Sequence, residues 1–270
     1  MQPTQRIALA VITVCLLATL RVASASEFVP ANLVVPEGYE VEVVAASPLV
    51  EHPTFATFDE SGRLFVCENA GVNMSAAELE ESLPNSIRML VDSDGDGRFD
   101  KHTVFADKMT FPMGAAWHNG ALYVASPPNI WRLADTTGDG VADDRKILVS
   151  GFGYTGNAAS IHGCVNGPDG RIYWCDGFHG HEIKDDAGAV QSERFGSYLF
   201  SCLPNGSDLR LHAGGGMDNP VEVDFTDTGE MLGTVNILRT RPRVDALVHW
   251  LYGGAYPHRE RVRQELKTTG

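Results

Sequence analysis

The chain has 270 residues, 43% hydrophobic and 21% charged, with 28 Gly, 14 Pro and a formal net charge of −14. That length accommodates one large all-β domain or two ordinary ones, and the composition is that of a turn-rich globular chain with no disordered bulk. The acidic balance excludes nucleic acid as a partner, because polyanion binding needs a basic footprint, and makes cations the expected guests.

At the N-terminus, Arg6 precedes the apolar run Ile7 to Leu20, and Ala23-Ser24-Ala25 supplies the small residues that a signal peptidase needs. The expectation is a signal peptide over residues 1–25 and one exported domain over residues 26–270, periplasmic or at the cell surface. The apolar run is 14 residues, against the roughly 20 that a membrane span needs, so an uncleaved anchor is the weaker reading. Cys15 leaves with the signal. Cys67, Cys164, Cys175 and Cys202 remain in an oxidising compartment, where bridges can persist. Three pairings are open to them, and buried free thiols in strands are an equal alternative. None is followed by the x-x-Cys-His pattern of c-type haem attachment, so no such haem is carried here.

A glycine turn feeding a β-rich run then recurs along the chain. It reads Ser61-Gly-Arg-Leu-Phe-Val-Cys-Glu, Asn119-Gly-Ala-Leu-Tyr-Val-Ala-Ser, Asp169-Gly-Arg-Ile-Tyr-Trp-Cys-Asp and, more weakly, Thr228-Gly-Glu-Met-Leu-Gly-Thr-Val. The glycine supplies the positive φ of a tight hairpin, and the β-branched and aromatic residues after it suit a pleated surface. A second repeat interleaves with the first: Asp92-Ser-Asp-Gly-Asp-Gly-Arg-Phe-Asp100 returns as Asp135-Thr-Thr-Gly-Asp-Gly-Val-Ala-Asp143, 43 residues later. A period near 40 to 50 residues is that of a propeller blade, so the expected fold is an all-β β-propeller. About four blades of an expected six are present, and the chain reads as a piece of a longer propeller. Helices are scarce. Ser75 to Leu83 has an N-cap serine and early acids and reads as a short surface helix, as does Arg259 to Lys267.

Asp92, Asp94, Asp96 and Asp100 put oxygen donors at alternate positions, with Gly95 and Gly97 letting the chain wrap, the way calcium is caged. An EF-hand is excluded, because Thr103 stands where the bidentate Glu is required and the flanks read as strands. The second copy keeps Asp135, Asp139 and Asp143 but has Thr137 at its third position, so weaker binding is expected there. The competing reading is a pair of solvated Asp-Gly turns. Of nine histidines, His162 stands out as a candidate general base in a loop near a propeller channel, against a plain hydrogen-bonded turn histidine. His179 and His181 could share a strand face and hold a metal with Glu182, but a surface loop is preferred. No serine-nucleophile elbow or dinucleotide fingerprint appears. Gly214-Gly-Gly216 leads into Met217-Asp-Asn-Pro220, which reads as a turn.

Taken together, Pro36-Glu-Gly-Tyr-Glu-Val, Asp59-Glu-Ser-Gly-Arg-Leu-Phe-Val, the two Asp-Gly-Asp-Gly loops, Gly167-Pro-Asp-Gly-Arg-Ile-Tyr and Gly215-Gly-Met-Asp-Asn-Pro resemble a known family. It is the N-terminal propeller domain of the membrane-bound dehydrogenases of planctomycetes and verrucomicrobia, itself similar to soluble quinoprotein glucose and sorbosone dehydrogenases. The resemblance runs from about Pro36 to the end. It implies oxidation of a sugar or other alcohol, pyrroloquinoline quinone as cofactor, and a cytochrome c domain or protein as electron acceptor beyond Gly270. It also implies that His162, ahead of the Gly-Pro-Asp-Gly hairpin, is the base that takes the substrate hydroxyl proton. One position departs: the relatives place an arginine before the Asn-Pro pair to handle the quinone, whereas Asp218 precedes Asn219-Pro220 here, an acid that repels an anionic quinone. The alternative function is a non-catalytic, calcium-stabilised propeller that binds glycans or protein partners.

Overall fold

Short apolar runs separated by glycine turns bury their side chains by pairing into antiparallel sheets, and a computed structural model, which describes residues 33–156, 159–236 and 245–256, has this architecture. The expected signal peptide and the expected helix Arg259 to Lys267 lie outside the described residues. The chain divides into two units, Met1–Val43 and Val44–Gly270. In the first, the Tyr39 amide donates to the Pro36 carbonyl at 3.1 Å; the second holds all the sheets.

Blade 1 is the meander β1 (Pro53–Phe58), β2 (Leu64–Glu68), β3 (Asn85–Val91) and β4 (Lys101–Met109). The one helix among the described residues, α1 (Ala76–Ser82), sits between β2 and β3. Its Ser75 N-cap and Glu78 form a capping box, and Leu83 ends it in the left-handed region. Blade 2 repeats the meander as β5 (Ala115–His118), β6 (Ala121–Ser126), β7 (Asn129–Ala134) and β8 (Asp144–Ser150). Blade 3 begins with β9 (His162–Asn166) and β10 (Ile172–Cys175). It then inserts a separate hairpin, β11 (His181–Lys184) with β12 (Val190–Arg194), and is completed by β13 (Ser197–Cys202) and β14 (Arg210–Met217). Blade 4 has three strands among the described residues, β15 (Asn219–Phe225), β16 (Met231–Asn236) and β17 (Asp245–Trp250). The four repeat glycines 62, 120, 170 and 229 close the first hairpin of each blade, with φ of 81°, 78°, 77° and 84°.

The sheets are arranged radially, as contacts between their first strands demonstrate. A Cβ on Gly114, just before β5, would lie 1.8 Å from the Gly163 carbonyl oxygen on β9, and three residues on in both strands Asn166 Nδ2 donates to the Trp117 carbonyl at 2.8 Å. This constant offset means that β5 and β9 run parallel. Thr54 Oγ1 at the start of β1 donates to the Pro112 carbonyl at 2.9 Å, and His162 at the start of β9 meets Asn219 at the start of β15. The innermost strands β1, β5, β9 and β15 therefore all start at one end of the ring. Turns of a meander alternate between ends, so the glycine hairpins and both aspartate loops lie at the other.

Three clusters fill the gaps between the four blades. Phe65, Ile87 and Met89 of blade 1 meet Leu122 and Val124 of blade 2. On the opposite face of β6, Tyr123 and Ala125 meet Ile172, Trp174 and Phe200 of blade 3. Tyr173 and Cys175 then turn toward Val223, Val235 and Trp250 of blade 4. Strands such as β6, β10 and β13 are buried at every position, because a middle blade is covered on both faces, and so they read as continuous apolar runs. Cys67, Cys164, Cys175 and Cys202 are all buried and unbridged, the thiol side of the two readings open from the sequence. Burial raises the Cys67 and Cys202 thiols to about 12, so neither is a thiolate at neutral pH. Met217-Asp-Asn-Pro220 is not the expected turn: β14 continues to Met217 and β15 starts at Asn219, so Asp218 alone crosses from blade 3 to blade 4.

Candidate functional site

His162 is the first residue of β9, not a loop residue, and is only 5% exposed. It pairs across the sheet with Cys175, and its Nε2 lies 3.2 Å from Asn219 Oδ1 on the next blade's innermost strand. Gly163 follows it at φ 96° with its carbonyl against Gly114, so side chains are excluded where the two innermost strands touch. The imidazole is thus held on the axial strands, at the ring end opposite the aspartate loops. Next to it, Ser197 Oγ lies 3.0 Å from the Met217 carbonyl and 3.3 Å from that of Asp218, pinning the crossing into blade 4.

Asp176 directly follows Cys175, the register partner of His162. Its Oδ1 accepts from the Tyr198 amide, and its Oδ2 lies 2.7 Å from His181 Nδ1, with both side chains almost completely buried. The surface-loop reading of His181 is therefore corrected: it opens β11, facing inward, while Glu182 faces out and pairs with Lys184. His179 instead lies 3.2 Å from Thr155 Oγ1. Strand alternation sends Glu182 to the face opposite His181, and the two histidines take different partners.

Sequence reasoning missed Glu222. It sits on β15 with Oε1 buried and without a hydrogen-bond partner among the described residues. Burial, reinforced by Asp224, raises its carboxyl to about 7. The only signal was an acid inside the run Pro220-Val-Glu-Val. Because the folded value lies above the unfolded one, the stability this group confers is full below pH 4.5 and is lost as pH rises through about 7. Glu222→Gln is expected to leave stability near pH 4 unchanged and to add on the order of 2 kcal/mol at pH 8 in urea unfolding. Equal shifts at both pH values would contradict this.

At the other end, oxygens of Asp92, Asp94 and Asp96 lie within 4.8 Å of one another. Asp92 accepts from the Gly95 and Gly97 amides at 2.7 and 2.9 Å, and the Gly97 amide is the main reason its carboxyl is held below the usual range. Asp100 is engaged elsewhere: its oxygens accept from the Ser93 amide at 2.8 Å and hydroxyl at 2.6 Å. Asp143 closes the second loop the same way on Thr136. There Asp135 accepts from Gly138 and Gly140, and Asp139 from Val141. Among the described residues only the first loop gathers three carboxylates. The arginines of the glycine hairpins brace turns instead of forming a site. Arg63 pairs with Asp59 at 2.5 Å, and Arg171 binds Ser201 Oγ at 2.7 Å and Asp208 at 2.8 Å.

The residues around His162 do not by themselves fit an anionic quinone. Where the resemblance implies an arginine before the Asn-Pro pair, the residue crossing from blade 3 to blade 4 is the buried acid Asp218.

No curated protein matches the chain. Among solved structures, the chain is similar to the iodide structure of a Trichoderma reesei Carbohydrate-Active Enzymes Family AA12 protein (16% identity, 83% of this chain, 59% of that one, TM-score 0.56). The calcium structure from the same organism and family aligns at 15% identity, 81% and 56% coverage and TM-score 0.55. A Thermus thermophilus protein with the provisional designation oxidoreductase (glucose dehydrogenase) aligns at 16% identity, 77% and 64% coverage and TM-score 0.50. The likeness is one of fold, and the chain spans about three fifths of the length of these structures. A family model covers residues 27–264, and the chain belongs to that family, described as Domain of unknown function (DUF7133).

Proposed function

We propose that this chain is the propeller of an exported dehydrogenase-type protein that oxidises a sugar or other alcohol, with His162 as the proton acceptor. The observation that carries the reading is the placement of His162: buried, on an innermost strand, tied to the next blade through Asn219. The His162 imidazole takes the hydroxyl proton. A redox group held by the whole protein would have to take the carbinol hydrogen with both electrons, and a haem partner domain would then accept those electrons. The test is dye-linked oxidation by the full-length protein over a panel of sugars and alcohols, with quinone and calcium each added or omitted. Substrate-dependent dye reduction is expected, and its absence under every condition would refute the reading. Asp218 favours the second reading, a calcium-stabilised propeller that binds glycans or protein partners without catalysis. Glycan binding by a chain inert in the dye assay would establish it.

In either reading the Asp92–Asp94–Asp96 loop binds calcium and braces blade 1, with extracellular-type affinity of about 10⁻⁴ to 10⁻³ M. Calorimetric titration should give calcium heats that vanish in the Asp94→Ala, Asp96→Ala double variant. Heats unchanged by those substitutions would contradict the assignment.

A further inference from the structure

The Asp176–His181 pair has a third member. His181 Nε2 lies 2.9 Å from Ser192 Oγ, while Nδ1 lies 2.7 Å from Asp176 Oδ2. One imidazole is thus fixed between a buried carboxylate and a hydroxyl, the arrangement in which a base activates a nucleophile and a third group orients the base. It follows from the inserted hairpin. His181 pairs with Arg194 and Ser192 with Ile183, so His181 and Ser192 are diagonal neighbours on one face, and Phe152, Tyr198 and Phe200 surround the ring. The network would be a plain structural pin if the hydroxyl were sealed in. It is not: Ser192 lines a cavity of about 520 Å³ together with Arg194, Phe200, Leu209 and Leu211. Asp208, also in the wall, is neutralised by Arg171 and Arg210, so Arg194 sets the charge of the cavity.

We propose that Ser192 is an acyl-transfer nucleophile, with His181 as its base and Asp176 as the positioning residue, acting on small esters whose acyl part meets the Phe200–Leu209–Leu211 wall and whose anionic end meets Arg194. Ser192 Oγ forms a bond to the acyl carbon as its proton passes to His181 Nε2. The ester C–O bond then breaks, and that proton goes to the leaving alcohol oxygen. Water, deprotonated by the same nitrogen, cleaves the acyl-serine and releases the acid. No oxidant or reductant is consumed, and the site is independent of His162 chemistry.

The test uses the full chain with a fluorophosphonate probe and with 4-nitrophenyl acetate. Peptide mass spectrometry should find one phosphonate adduct, on Ser192. Ester hydrolysis should fall by about 10²–10⁴ in Ser192→Ala, with 4-nitrophenolate released in a burst by the parent protein. Asp176 also holds the Tyr198 amide, so its replacement would perturb folding, and labelling of the unaltered protein is the deciding readout. An unlabelled Ser192, or hydrolysis unchanged in Ser192→Ala, would overturn the proposal and leave the network as a pin for the hairpin.

Discussion

Replacing His162 by alanine is expected to lower kcat/KM for dye-linked alcohol or sugar oxidation by about 10²–10⁴, the usual worth of a general base. The fold should survive, because the residue lies at the start of a strand whose apolar contacts are made by Cys164 and its neighbours. If His162 acts only as the base, kcat should fall more than KM rises, since the interaction removed is one made as the proton moves. Asn219→Ala should have a smaller effect in the same direction, because it removes the partner that fixes the ring and not the base itself. Turnover that persists in His162→Ala would remove the assignment while leaving the propeller intact.

Trp174→Ala is expected to destabilise the protein by about 3–5 kcal/mol, the range for truncating a large buried aromatic. Trp174 is fully buried in the cluster between blades 2 and 3. It stacks on Phe200 at 5.8 Å and 9° and meets Phe152 edge-on at 6.1 Å and 89°. Its Nε1 lacks a hydrogen-bond partner among the described residues, and loss of that small penalty only partly offsets the void. Urea unfolding of the parent and the variant measures the difference, and a loss below about 1 kcal/mol would mean that the two blades do not meet as described.

Much of the fold was legible because it repeats. The glycines at 62, 120, 170 and 229 marked the first hairpin of every blade, since each needs a positive φ that other residues resist. The flanks of the Asp92 loop are strands, as their composition required. What escaped was whatever depends on a neighbour from another blade. Both-face burial hid the inside–outside alternation of β6, β10 and β13. Met217-Asp-Asn-Pro220 has turn composition, yet the strands on either side run up to it and leave only the bend at Asp218 between them. At the site, the family resemblance singled out His162, but its partner Asn219 is 57 positions away and no spacing rule reaches that far. His181 looked like a surface histidine because Asp176 and Ser192, which bury and satisfy it, belong to a neighbouring turn and to the facing strand. Glu222 carries no mark in sequence beyond an acid among valines.

The claim on which the rest depends is that the innermost-strand end of the ring, with His162, is where an alcohol is handled. Crystals of the full-length protein soaked with a sugar that supports dye reduction test it most directly. The prediction is a substrate hydroxyl within about 2.6–3.2 Å of the His162 imidazole. Sugar bound only beside the aspartate loops, with water at His162, would contradict it.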